Sequence, residues 1–233
     1  MLGTQATVEA VVAGLMAVGS QPGGGPARGS THGASSSDAS SPDRIPLVLD
    51  PVLVSSSGGV LLDADGRAAM TGSLFRMATL VTPNVPEAAA LLGESIAADE
   101  AQLIQQGARL LGFGSRAILL KGGHAFAGAE DGQNAIDLLI SRGTIEGGSA
   151  DAFSGEAISA DTLSGDARAG SEGRPSDLSI ERITSKRVVG SSRGTGCALA
   201  SGIAAGLATG KPLSEVCRAA KRYVLGMLAP RAS

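Results

Sequence analysis

The sequence predicts an α/β fold built on a central, mainly parallel sheet. Two observations carry that expectation: short, almost wholly apolar runs recur along the chain, and helix-forming patterns fill the intervals. A run without polar alternation reads as a strand covered on both faces, as in a parallel sheet with right-handed helical crossovers. A third observation locates the chemistry, because three of these runs end in polar residues.

The elements follow in order. Met1 to Ser20 contains an apolar stretch, Val11 to Val18, but it lacks a basic leader, carries Glu9 and has no arginine, so it does not read as a targeting segment. Gly19 to Asp43 is almost all Gly, Ser, Pro, Ala and Asp, a low-complexity insertion expected to be disordered because it cannot bury enough apolar surface. Pro46-Leu47-Val48-Leu49 is the first strand and ends at Asp50-Pro51; a helix pattern over Asp65 to Met77 follows. Thr79-Leu80-Val81 is the second strand and ends at Thr82-Pro83-Asn84. Helices are expected over Val85 to Leu92, with Pro86 suited to the first turn, and over Asp99 to Phe113, with Asp99 as N-cap.

Ala117-Ile118-Leu119-Leu120 is the third strand and ends at Lys121-Gly122-Gly123. Ala135 to Ile140 and Arg182 to Val189 read as strands flanking a second low-complexity insertion, residues 146–177. Two helices close the chain, Cys197 to Ala208 and Leu213 to Leu228, parted by Thr209-Gly210-Lys211-Pro212. The whole is expected to be one domain over 1–233, with the insertions at 19–43 and 146–177.

Composition excludes several function classes. With 233 residues the chain is long enough for a sizeable core. Aromatic residues are 2% and tryptophan is absent, so there is no base-stacking platform. The formal net charge of −3 offers no basic field to a nucleic-acid backbone. The uncharged stretch Gly194 to Gly210 is too short for a membrane span. Two cysteines are too few for a disulfide framework and fit a reducing compartment, so a cytoplasmic protein is expected.

The chemistry gathers at the carboxyl ends of the apolar runs, the edge at which open parallel sheets bind ligands. Asp50, Asn84, Glu87 and Lys121 all fall there. Each alone also reads as a cap, a turn residue or a solvated charge; their joint placement points to a site. Asn84 and Glu87 are one helical turn apart, a spacing that suits a hard cation beside a phosphate chain. Lys121, followed by two glycines, can approach a phosphate. Gly194-Thr195-Gly196-Cys197 runs straight into a helix of small residues. Glycines uncover backbone N–H groups, and a helix start carries roughly half a positive charge, so the turn suits an anion. A thiol in that first turn sits where thiols become more acidic and can act as a base, although Cys197 also reads as a small buried residue. His124 is read as structural, Cys217 as a core residue, and Gly202 with Gly206 as a face for close helix packing. A Walker phosphate loop and the protein-kinase signatures are both absent.

Four segments, in order, resemble bacterial hydroxymethylpyrimidine/phosphomethylpyrimidine kinases. Val48 to Val54 with Ser57-Gly58 is similar to the family's DPVMVAKSG segment, and Val81 to Ala88 to its TPNxPEA signature. Leu120 to His124 resembles KGGH, and Arg193 to Ala200 resembles HGTGCTLS, with Arg193 where the family has histidine.

The resemblance implies a ribokinase-like three-layer α/β/α fold and ATP-dependent phosphorylation of the pyrimidine precursor of thiamine in two steps. It makes Cys197 the base and Gly194, Thr195 and Gly196 the anion hole. Glu87, helped by Asn84, would organise Mg²⁺, while Asp50, Asn84, Lys121 and Thr195 would serve the nucleotide. The partners implied are a small-molecule pyrimidine, no nucleic acid and no membrane, with a homodimer left open. Met1-Leu2-Gly3 matches a family segment that lies well inside its members. The fold is therefore expected without the family's N-terminal strands, its Gly/Ser-rich loop and its pyrimidine-contacting glutamine. Such a chain is expected to expose a sheet edge and to be poorly stable alone. The competing expectations are a catalytically defective nucleotide-binding remnant and a related pyridoxal/hydroxymethylpyrimidine kinase.

Overall fold

A computed structural model describes residues 3–19, 45–54, 59–122, 134–143, 178–188 and 194–228. Both low-complexity insertions lie outside them, except Gly19, and so do Ser57-Gly58, Gly123, His124, Val189 and Arg193.

Five strands form one sheet in the order β1-β2-β3-β4-β5. They are β1 (Val48–Leu49), β2 (Leu80–Val81), β3 (Ala117–Lys121), β4 (Asn134–Arg142) and β5 (Leu178–Lys186). The first three pair in parallel, and β4 and β5 add antiparallel. The parallel strands are short and apolar as expected; β5 begins four residues before Arg182 and ends three before Val189.

Side-chain alternation splits the sheet into two faces. Val81, Ile118, Leu120, Leu138 and Ile140 turn toward one apolar layer, whose helices are α1 (Gln5–Gly19), α2 (Ala64–Ala69), α3 (Phe75–Met77), α4 (Val85–Leu92) and α5 (Glu100–Leu111). A π-helical turn, Met70–Leu74, joins α2 to α3, so the expected helix over 65–77 is one continuous rod with a widened middle. Leu80, Ala117, Leu119, Leu139 and Ile183 face the other layer, made by α6 (Thr195–Ala208) and α7 (Leu213–Leu228). The result is helix, sheet, helix.

Helix starts follow local chemistry. The Asp99 side chain accepts the Gln102 N–H at 2.8 Å and caps α5. Helix α1 falls in the N-terminal stretch for which no helix is expected; its apolar residues show little bias to one side, so periodicity gave little signal. The glycines of α6 do allow close packing: a Cβ at Gly206 would lie 2.5 Å from Val216 Cγ1, and one at Gly202 3.3 Å from Ala220 Cβ. Cys217 is fully buried in that interface.

Candidate active site

The parallel register delivers the polar residues to one edge. Because Val48 pairs with Leu80 and Leu49 with Val81, Asp50 and Thr82 emerge side by side on the α6 face. A further parallel bridge sets Asn84 beside Lys121, and the Lys121 N–H donates to Pro83 O at 2.9 Å. Asp50 Oδ1 accepts from Thr82 Oγ1 at 3.0 Å and from Lys121 Nζ at 2.9 Å. The lysine is thus folded inward onto the carboxylate, with only 18% of its side chain exposed.

Asn84 and Glu87 close the start of α4 on each other. Asn84 Oδ1 accepts the Glu87 N–H and Glu87 Oε2 accepts the Asn84 N–H, each at 2.8 Å, a reciprocal capping box. Glu87 Oε2 also lies 3.9 Å from Lys121 Nζ. Burial pushes the Glu87 carboxyl above its ordinary range; the Asn84 N–H and the Lys121 ammonium oppose that, and Asp50 adds to it.

Helix α6 starts differently. Its N-cap is Gly194, at φ 84°, a left-handed conformation that glycine adopts without strain, and no side chain caps it. Gly194 has no side chain, so the N-cap itself brings no carboxylate or hydroxyl to the first-turn N–H groups. A Cβ at Gly196 would lie 3.5 Å from Lys121 Nζ and 3.6 Å from Asp50 Oδ2. The turn consequently lies directly over the lysine–aspartate pair. Cys197, next in the chain, is exposed, and Thr195 is half-buried.

The structure thus brings Asp50, Asn84, Glu87, Lys121 and Gly196 together, with Gly194, Thr195 and Cys197 in the same turn. Two polar residues of this edge were missed by sequence reasoning. Thr82, fully buried, shares Asp50 Oδ1 with Lys121. Asp137 of β4 accepts the Gly122 N–H at 3.1 Å. Asp137 did carry a signal: it is the lone carboxylate in the otherwise apolar run from Ala135 to Ile140.

The donors suit a hard cation shared with phosphate. Asp50 Oδ2 and Glu87 Oε1 take no hydrogen bond from the described residues. Among those residues, no group of three or more His, Cys, Asp or Glu could hold a metal alone. Two carboxylates are what Mg²⁺ needs when water and phosphate oxygens fill its other positions. Two acids facing one lysine would also repel a polyphosphate unless a cation came with it.

Comparison with known proteins bears on the family and the fold. The family model for phosphomethylpyrimidine kinase matches residues 34–168 and 174–232. A hydroxymethylpyrimidine/phosphomethylpyrimidine kinase of Rhizobium meliloti is 36% identical over 177 residues, covering 76% of this chain and 52% of that protein. This chain thus spans about half the length of the curated relatives it matches. A crystal structure of phosphomethylpyrimidine kinase from Clostridium difficile superposes with a TM-score of 0.59 at 20% identity, covering 98% of this chain and 67% of that one. Pyridoxal kinase from Staphylococcus aureus in complex with pyridoxal gives 0.62 at 21% identity, covering 98% and 59%. At such identities the structural likenesses speak for the ribokinase-like fold alone.

Proposed function

The chain belongs to the phosphomethylpyrimidine kinase family, and on that premise we propose that it transfers the γ-phosphoryl group of ATP to hydroxymethylpyrimidine and then to its monophosphate. One observation carries the reading: the start of α6, whose N-cap is a glycine, lies over the Lys121–Asp50 pair, and Gly196 has no side chain to keep them apart. A relative bearing the pyrimidine-kinase name is 36% identical over 177 residues, which favours a pyrimidine over pyridoxal as substrate.

The geometry supports the roles of the turn, Lys121 and the carboxylates, and the family resemblance supports that of Cys197. N–H groups of the Gly194–Cys197 turn, with the helix dipole behind them, receive the oxygens of the transferred group. Lys121 supplies a positive charge beneath the turn, and Asp50 and Thr82 hold it there. Glu87 and Asp50 would hold Mg²⁺, with Asn84 keeping Glu87 in place through the capping box. When bound, that ion supplies charge neutralisation between the nucleotide phosphates. Cys197 takes the proton of the substrate oxygen as that oxygen bonds to the γ-phosphorus; the bridging bond to ADP breaks and ADP departs. The two free thiols fit a cytoplasmic setting. Among the described residues, no helix is long and apolar enough to cross a membrane.

The test is ADP release with hydroxymethylpyrimidine, and separately with its monophosphate, by the protein and by Cys197→Ala. General-base loss should cost roughly 10²–10⁴ in rate while ATP binding persists. Undiminished turnover in the variant removes Cys197 from the mechanism. No ADP release from the unmodified protein with either pyrimidine rejects the substrate assignment.

A further inference from the structure

Behind the site lies a buried ion pair that the phosphoryl-transfer reading leaves without a task. Asp137 stands opposite Lys121 in the β3–β4 register and opposite Ile183 in the β4–β5 register. Its side chain therefore points to the α6/α7 face, as that of Lys121 does. Asp137 Oδ2 pairs with Lys221 Nζ of α7 at 2.8 Å, and both side chains are about nine-tenths buried. Lys221 Nζ also donates to Ile183 O at 2.9 Å and to Ala135 O at 3.3 Å. An ammonium has three N–H donors, and here three acceptors meet them. The lysine is thereby satisfied without reaching solvent or the site.

The other carboxylate oxygen does something more specific. Asp137 Oδ1 accepts the N–H of Gly122, the residue directly after Lys121, at 3.1 Å in a buried setting. Lys121 itself is held on the opposite side by its N–H bond to Pro83 O. The peptide that carries the site's ammonium is thus pinned from both neighbours, once by β2 and once by a charged acceptor. Bonds to an ionised acceptor are roughly twice as strong as neutral ones. The anchor of that acceptor is α7, and α7 packs closely on α6, with Ala220 against Gly202 and Val216 against Gly206. One connected path therefore links the strand end bearing Lys121 to the helix whose start lies 3.5 Å above it, measured from a Cβ at Gly196. A buried ion pair contributes little net stability compared with apolar groups of the same size, so stability alone does not account for it.

We propose that Asp137, held by Lys221, is a positioning residue: through the Gly122 N–H it fixes the Lys121 backbone at the separation from the α6 turn that phosphate binding needs. The inference rests on the phosphate-binding role assigned to Lys121 and the turn, and it is independent of which alcohol receives the phosphoryl group.

Two double variants separate position from packing. Asp137→Asn with Lys221→Met removes both charges and keeps an oxygen to accept the Gly122 N–H. Asp137→Leu with Lys221→Met removes the charges and the acceptor. Both should fold, and their melting temperatures should match within a few degrees. Binding of Mg-ATP, read from the ligand-induced melting shift, should be near wild type in the first and at least tenfold weaker in the second. Turnover should divide the same way, with kcat falling more than the KM for the pyrimidine. Equal ATP affinity and equal kcat in the two variants overturn the proposal, as does a wild-type protein whose melting ATP does not shift. ATP binding that divides as expected, without pyrimidine turnover in the wild type, sustains the proposal and rejects only the substrate reading.

Discussion

The substitution Gly196→Ala adds one methyl group at the second position of α6, and its two effects should have opposite signs. The backbone there is helical, so alanine gains roughly 0.5–1 kcal/mol over glycine from the unfolded chain's lost freedom. At about 2–4 °C per kcal/mol for a chain of this size, melting should rise by about 1–4 °C. Nothing steric cancels the gain, because the new methyl would meet Lys121 Nζ at 3.5 Å and Asp50 Oδ2 at 3.6 Å, both ordinary contacts. The same methyl occupies the space between the turn and the lysine. An oxygen bonded to Nζ lies about 2.8 Å from it, which leaves no room on that line for both groups. Loss of one preorganised donor to a transferring oxygen costs roughly 10²–10³ in kcat. The assays are thermal melting and ADP release at saturating ATP. Turnover within threefold of wild type, together with the expected gain in melting temperature, would refute the placement of the phosphoryl group between Gly196 and Lys121.

Other perturbations test the site and its support. Glu87 has a carboxyl raised above 4.5, so it contributes stability that is complete below about that pH and is lost as the pH rises through its folded value. Glu87→Gln keeps an acceptor for the Asn84 N–H, so melting near pH 7 should be unchanged or higher and its fall with pH shallower, while turnover collapses; a melting point several degrees lower at pH 7 would contradict this. Thiol labelling of the native protein should modify exposed Cys197 quickly. Cys217, buried and with its pKa pushed up to about 12 by burial and by Glu181 and Asp137, should react only after unfolding, and equal rates would disprove the packing of α7 on the sheet. From pH 9.0 toward about 12 the same thiol should lower stability, since the unfolded chain loses that proton first. Gly206→Ala should destabilise by about 1–3 kcal/mol despite alanine's helix propensity, because its Cβ would lie 2.5 Å from Val216 Cγ1; an unchanged melting temperature would show that the helices can part freely.

How much of this was legible in the sequence depends on the distance over which each feature is encoded. Helix α4 was readable to the residue, because its cap, its proline and its terminal Gly93, at φ 70°, all lie within ten positions. The parallel strands were readable because burial on both faces removes polar residues from them. The partnership of Thr82 with Asp50 was not, since those residues are 32 apart and meet only through the β1–β2 register. Asp137 meets Lys221 across 84 positions, and Lys221 lies in a helix whose pattern reads as ordinary amphipathic surface. Thr82 and Asp137 escaped for the same reason: a polar residue at the end of an apolar run or within it does not say which distant residue it will meet.

Two helices begin at the same sheet edge, and the contrast between their starts explains how one edge can serve two ligands of opposite charge. At α4 the chain satisfies its own donors: Asn84 and Glu87 bind each other's N–H groups, and that leaves Glu87 Oε1 directed away from the cap. The result is a rigid anion, suited to a cation. At α6 the N-cap is Gly194, which has no side chain to offer, and Gly196 likewise withholds even a Cβ. The result is a set of donors suited to an anion. Lys121 stands between the two, 3.9 Å from Glu87 Oε2 and 2.9 Å from Asp50 Oδ1, and balances the acids until a phosphate chain and its cation take over. Exchanging the two starts would therefore reverse the site. A carboxylate introduced by Thr195→Asp would place a negative charge in the turn that must receive phosphate oxygens, and it should weaken Mg-ATP binding far more than the neutral Thr195→Ser. Equal affinities in those two variants would mean that the α6 turn does not face the nucleotide phosphates.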